Sequence, residues 1–306
     1  MKDVFMTPQQ EKIRALLTRK NAILLAHYYV RPEIQEIADV LGDSLALAQA
    51  AARAEAAVIV FAGVHFMAQS AAMLSPQKTV LLPRADAGCP LADMATAESV
   101  RKMRQREPDA LFVTYINSTA EVKAESDICC TSSNALNIIR SLPSSRKVVL
   151  LPDGNLARHV AAATGRDIVA WEGCCPIHQS LTAEDVLARK REYPRAPFVA
   201  HPECRPDVLA LADFIGSTSA ILRFARETEA GVIIIGTEEG IFSQLQKHNP
   251  GKTFILASPG LLCADMKKIT LDDIEQSLLT MQPVITVPPE VSEAARKTLD
   301  RMLASS

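Results

Sequence analysis

The chain has 306 residues, 48% of them hydrophobic, with 33 Lys and Arg against 35 Asp and Glu and a formal net charge of −2. This balance gives no electrostatic case for nucleic acid or an anionic membrane surface, and no apolar run approaches the roughly 20 residues that span a bilayer. The opening MKDVFMTPQQEKIRALL lacks an apolar leader core, and the seven cysteines without a leader read as reduced thiols, buried residues or ligands, so a cytoplasmic location is expected.

In chain order, four apolar strand-like runs separated by helical stretches recur three times. The first run of each set is ILLAHYY (23–29), LFVTYIN (111–117) and PFVAHPE (197–203), whose ends align as His27, Tyr115 and His201 at intervals of 88 and 86. A small hydroxyl follows, in GDS (42–44), TSS (131–133) and GSTS (216–219), and opens a helical stretch. The third runs are VIVFAGV (58–64), KVVLLPDG (147–154) and VIIIGTEEG (232–240). The fourth lead to a cysteine each: TVLLPRADAGC (79–89), DIVAWEGCC (167–175) and TFILASPGLLC (253–263).

A period near 87 residues is too long for a solenoid and suits small α/β domains. Short continuous apolar runs alternating with helices indicate buried parallel strands. The expected fold is three pseudo-threefold-related small α/β domains with parallel sheets around a central cavity. The boundaries read as a first repeat with an N-terminal helix at 1–106, a second at 107–194, a third at 195–269, and closing helices at 270–306. The tail is expected to begin no fourth repeat and to pack against the first domain.

Ligands of open parallel sheets gather beyond the carboxyl ends of the strands. His27-Tyr28-Tyr29, Tyr115-Ile116-Asn117 and His201-Pro202-Glu203 stand there. Cys89, Cys175 and Cys263 lie 86 and 88 residues apart, one per repeat, so the repeat can bring three thiolates together. Cys174 competes with Cys175 for the middle place. CxxC is absent, as are GxGxxG, a complete P-loop and HExxH, and the adjacent pairs Cys129-Cys130 and Cys174-Cys175 cannot both chelate comfortably as a zinc ribbon requires. Three isolated thiolates suit a 4Fe–4S cluster, one per chain, with one iron left open as a Lewis acid. Cys129, Cys130 and Cys204 read as structural.

The segments HYY (27–29), GDS (42–44), FAGVHFMAQ (61–69), AGCPLADM (87–94), YINS (115–118), CTSSNA (130–135), WEGCCPIH (171–178), HPEC (201–204), GSTS (216–219), GTEEG (236–240) and CADMK (263–267) together resemble quinolinate synthase, the iron–sulfur enzyme family of NAD biosynthesis, over nearly the whole chain. Ala62 stands where that family's pattern leads one to expect a cysteine, and Cys174 is an additional thiol. The resemblance implies condensation of iminoaspartate with dihydroxyacetone phosphate to quinolinate, phosphate and water, with a second enzyme supplying iminoaspartate. Proton carriers would be Tyr29, His27, His201 and Glu203. Substrate contacts would come from His27, Asp43, Ser44, Tyr115, Ile116, Asn117, Ser132, His201, Pro202, Glu203, Ser217 and Thr218, with Ser132 and Ser217 also natural helix caps. His178 would stand beside the cluster. Two other classes remain open: a different cluster-dependent dehydratase, and a metal or redox sensor on the same thiols.

Overall fold

The computed structural model of the chain describes residues 6–305; Met1–Phe5, part of the segment read for a leader, and Ser306 lie outside it. Among the described residues three four-stranded sheets form, every strand pair within them parallel. The first holds β1 (Ala22–His27), β2 (Val40–Gly42), β3 (Val58–Ala62) and β4 (Thr79–Leu81). The second holds β5 (Leu111–Tyr115), β6 (Ile128–Cys130), β7 (Val148–Leu151) and β8 (Ile168–Ala170), and the third β9 (Phe198–Ala200), β10 (Phe214–Ile215), β11 (Val232–Gly236) and β12 (Thr253–Leu256). The orders β2-β1-β3-β4, β6-β5-β7-β8 and β10-β9-β11-β12 are one topology repeated. The α/β repeat expected from the period is therefore present. Each expected hydroxyl landmark proves to follow a short edge strand that sequence reading did not separate.

The middle strands are continuous apolar runs because both faces are covered: all of β3 and β7 is buried. The second sheet's core packs Val100, Phe112, Val122, Val149 and Leu151 with Trp171 at its margin. The third packs Leu181, Val186, Phe198, Cys204, Val208, Ile234 and Leu261.

A polar device recurs with the strands. Asp39, Asp127 and Asp213 accept the backbone N–H of Leu24, Phe112 and Phe198, each at 2.8 Å. A base holds each aspartate from the helix that precedes the first strand: Arg14 at 2.6 Å, Arg104 at 3.2 Å and Lys190 at 3.0 Å. Those helices open on capping boxes at Thr7, Thr96 and Thr182.

Thr270 opens a fourth such helix, Leu271–Thr280, with the same reciprocal cap. It is the closing helix expected at the start of the tail, and no further sheet follows among the described residues. That helix packs on Pro8–Arg19, and Val284 pairs antiparallel with Leu81 at the edge of the first sheet, as expected for the tail. The last helix, Pro289–Ala304, packs instead on β6 and the helix Ala120–Ala124, burying Ala295, Leu299 and Met302. It covers the open edge of the second sheet.

By compactness the chain divides into a unit of residues up to Gly88 with Ala264–Pro288, and a unit of Cys89–Cys263 with Pro289–Ser306. The first contains one sheet and the second contains two.

The aspartate device predicts a stability effect. Asp127→Ala leaves the N–H of fully buried Phe112 without its side-chain acceptor, a loss of about 1–3 kcal/mol. Asp127→Asn keeps an acceptor oxygen and should lose less. Denaturant midpoints of the three proteins check this.

Candidate metal and substrate site

In each sheet the order second-first-third-fourth makes a switch point between the first and third strands, where the crossovers leave in opposite directions and a crevice opens. In the second unit the residues at these ends meet. Glu203, three residues beyond β9, is 3% exposed. Its Oε2 lies 2.6 Å from Nδ1 of His178 and 3.6 Å from Nδ1 of His201. The imidazoles stack, with centroids 4.6 Å apart and planes at 18°. Burial alone would raise the Glu203 carboxyl, but the His201 and His178 rings and the Tyr115 hydroxyl outweigh it and hold it down to about 2.

Tyr115, at the end of β5, is pushed up by burial and by the Glu203 charge, and its hydroxyl also meets Ser132. The His201 Nε2 reaches the Ser132 hydroxyl at 3.2 Å. The His178 Nε2 reaches the Thr237 hydroxyl at 2.9 Å. Asn155 donates to the Glu203 carbonyl at 3.1 Å. The Asn117 Oδ1 is buried with no hydrogen-bond partner among the described residues, an acceptor suited to a ligand N–H. Ile116 and Pro202 complete the buried turns after β5 and β9.

Ser217 caps the helix Thr218–Glu227 as expected, accepting the Ala220 N–H at 3.3 Å, and Ser133 donates to its hydroxyl at 2.8 Å. Thr218 is the buried first residue of that helix. Ser132 does not cap a helix, contrary to expectation. Asn134 accepts from the Thr131 N–H at 2.7 Å and forms a turn, the helix starts at Ala135, and the Ser132 hydroxyl is left for His201.

The three repeat cysteines all belong to the second unit. Cys89 is pushed up to about 12 by burial, against backbone N–H groups of Ala92 and Leu91, and it feels the charges of Glu203 and Cys263. Cys175 is pushed well up by burial and by Glu203; the backbone N–H of His178 faces it, and Cys89 is within its electrostatic reach. Cys174 interacts with Asp153 and Arg158 instead. Donor atoms of Cys175, His178 and Glu203 converge within 4.8 Å of one another, a spacing able to hold a metal ion. Cys129, Cys130 and Cys204 are fully buried; Cys129 contacts Thr298 at 3.1 Å and Cys204 the Gly236 carbonyl at 3.5 Å.

The first unit carries the remaining candidates. The His27 Nδ1 accepts the Tyr29 N–H at 3.1 Å, which leaves the proton of a neutral ring on Nε2. His27 and Tyr29 meet edge to face at 4.6 Å. Lys267 and Arg31 hold this turn, Lys267 donating to the Tyr29 carbonyl at 2.6 Å and Arg31 to the Lys267 carbonyl at 2.8 Å. Asp43, not Ser44, caps Ser44–Arg53, accepting the Ala46 N–H at 3.1 Å. Ala62 is fully buried at the end of β3.

A pocket of about 430 Å³ lined by Asp272, Asp273, Glu275 and Gln276 includes none of the candidate residues. Sequence reading missed Asp153, Asn155 and Thr237. Their signal was position, just beyond β7 and β11, the other wall of each switch point.

The repeated parallel sheets and the buried imidazole, carboxylate and thiol groups define an α/β protein with a metal-capable polar site. A family model described as quinolinate synthetase A protein (NadA) matches residues 11–304, and the chain belongs to that family. It is 54% identical over 296 residues to the quinolinate synthase of Pelobacter propionicus, covering 96% of this chain and 97% of the relative. The quinolinate synthase of Geotalea uraniireducens is 52% identical over 295 residues, again with 96% and 97% coverage. Quinolinate synthase 1 of Methanosarcina acetivorans is 50% identical over 294 residues, with 96% of each chain covered. No helix among the described residues is long and apolar enough to cross a membrane.

Lys123 is a fully buried clamp. Its ammonium donates to the carbonyls of Ile116, at 2.8 Å, and Ser118, fixing the turn after β5. Burial pushes it down from 10.5 to about 8. A base with a depressed folded value holds fewer protons folded than unfolded in that window, so its contribution to stability rises with pH from about 8 toward 10.5. Buried thiols act in the opposite sense at the alkaline end, so comparison with Lys123→Met isolates the amine. The stability of wild type relative to Lys123→Met should grow between pH ~8 and ~10 in urea titrations. A constant difference would show that burial does not perturb this amine.

Proposed function

We propose that the chain is a quinolinate synthase that condenses iminoaspartate (iminosuccinate) with dihydroxyacetone phosphate, losing phosphate and water as the pyridine ring of quinolinate closes. The carrying observation is that the 86- and 88-residue register delivers Cys89, Cys175 and Cys263 to one unit, with Cys89 in electrostatic reach of both others. Relatives of that name at 50–54% identity support the reading. We place the enzyme in the cytoplasm, working with an enzyme that supplies iminoaspartate.

The donor set fits a 4Fe–4S cluster held by Cys89, Cys175 and Cys263. Backbone N–H groups of Ala92, Leu91 and His178 face two of the sulfurs, and metal ligation replaces the proton that burial otherwise keeps on a thiol. When bound, such a cluster supplies one open iron as a Lewis acid for a carboxylate or a departing hydroxyl. Cys175 belongs to this set, and Glu203 is engaged by His201 and Tyr115, so we assign His178 and Glu203 to proton handling.

The chain's own groups suit anionic substrates and repeated proton transfers. Glu203 stays a carboxylate and stabilises a proton arriving on Nδ1 of His178 or of His201, since both atoms face the same oxygen. Tyr115 stays a phenol and contacts substrate. The Asn117 Oδ1 accepts from a substrate nitrogen. Ser217, Thr218 and the N-terminus of their helix offer donors to a carboxylate or phosphate, and Ser132 orients His201. On the same reading Tyr29 and His27 carry protons, and Asp43 and Ser44 contact substrate.

Anaerobically purified protein should contain one oxygen-sensitive cluster per chain. Cys89→Ala, Cys175→Ala and Cys263→Ala should each abolish it, while Cys130→Ala, Cys174→Ala and Cys204→Ala keep it, by iron, sulfide and absorbance analysis. Full cluster in Cys263→Ala would defeat the three-thiol assignment.

Turnover tests the remainder. Tyr29→Phe should keep the cluster and the melting behaviour while slowing quinolinate formation by roughly 10²–10⁴. A wild-type rate would return Tyr29 to packing. Cluster-loaded wild type that makes no quinolinate from the two substrates would overturn the function.

A further inference from the structure

Two of the three cysteine loops are tied by the same kind of group. β7 ends at Leu151, paired with Thr114, and β11 ends at Gly236, paired with Ala200. Two residues beyond each stands a fully buried acid, Asp153 and Glu238. The Asp153 Oδ2 accepts the Cys175 backbone N–H at 3.1 Å, while its Oδ1 caps the next helix at the Leu156 N–H, 2.7 Å. The Glu238 Oε1 accepts the Cys263 backbone N–H at 3.1 Å, while its Oε2 takes the Gly240 N–H at 2.7 Å. Each carboxylate bridges its own strand end to a cysteine more than twenty residues away.

Backbone packing enforces the first of these bonds. Gly154 donates to the Gly173 carbonyl at 2.7 Å. A Cβ on Gly154 would stand 2.4 Å from the Trp171 carbonyl, and one on Gly173 would stand 2.3 Å from the Pro152 carbonyl. Only glycine permits this approach, and it brings Asp153 onto the Cys175 loop. At the equivalent place after β3 the residue is Val64, not an acid.

We propose that Asp153 and Glu238 are positioning residues for the metal-binding cysteines, each fixing the direction of one thiol through its backbone N–H. The inference rests on the assignment of these thiols to a cluster. Groups behind metal ligands commonly carry roughly 10–100-fold in metal affinity.

The test uses anaerobic holoprotein, iron release to a colorimetric chelator, and the electron paramagnetic resonance spectrum of the reduced cluster. Asp153→Ala and Glu238→Ala should assemble a cluster, release iron roughly 10–100-fold faster than wild type, and show altered g values. Asp153→Asn and Glu238→Gln, which retain one of the two acceptor oxygens, should fall between the alanine variants and wild type. A purely structural role would lower denaturant midpoints of the apoprotein without moving release rate or spectrum. Should an alanine variant fail to fold, Glu238→Asp, one methylene shorter, should release iron faster. Release at the wild-type rate in the alanine variants or in Glu238→Asp overturns the proposal, as do amide variants no better than alanine. Wild type without a cluster would instead defeat the thiol assignment beneath it.

Discussion

A carboxylate buried without compensation costs several kcal/mol, and a protein keeps one only by surrounding it. Glu203 is surrounded by groups from separate parts of the chain: Tyr115 from the end of β5, His178 from the helix behind Cys175, and His201 from its own turn. The end of the second sheet, a cysteine loop and the end of the third sheet must therefore arrive together. Asp153 lies close enough to feel the same charge. Burial and Glu203 push its carboxyl up, while the imidazoles hold Glu203 down.

The sheets were legible because parallel strands covered on both faces become plain apolar runs, and counting between runs exposes the period. Less was drawn from polar residues that keep the same period. The capping threonines Thr96, Thr182 and Thr270 each follow Cys89, Cys175 and Cys263 by seven residues. That regularity places the first helix of a repeat directly after each cysteine loop, and it marks the helix at Leu271 as the same element. Apolar counting passes over it because the cap is a hydrogen-bond device, not a burial device.

Other features were not readable from spacing. Nothing in AEVKA tells that its lysine is buried; the carbonyls of Ile116 and Ser118 become its partners only when the fold closes over it. Ser132 looked like a cap because a serine before an apolar helical stretch usually is one. The competing Asn134–Thr131 turn decides otherwise, and the local pattern TSSN supports both outcomes. The last helix depended on which sheet edge remained uncovered, a tertiary fact.

The repeat also shows how one scaffold supports asymmetric chemistry. Equivalent first-strand ends carry His27, Tyr115 and His201, and equivalent third-strand ends carry Val64, Asp153 and Glu238. The backbone devices stay fixed: an aspartate on the first strand and a threonine cap before it. The side chains at the switch points differ. An asymmetric site needs different groups at equivalent places, and changing side chains at strand ends leaves the sheet hydrogen bonds untouched. Stability and chemistry are thus carried by different residues of the same repeat, which is why the period survives in the sequence although the site residues no longer repeat.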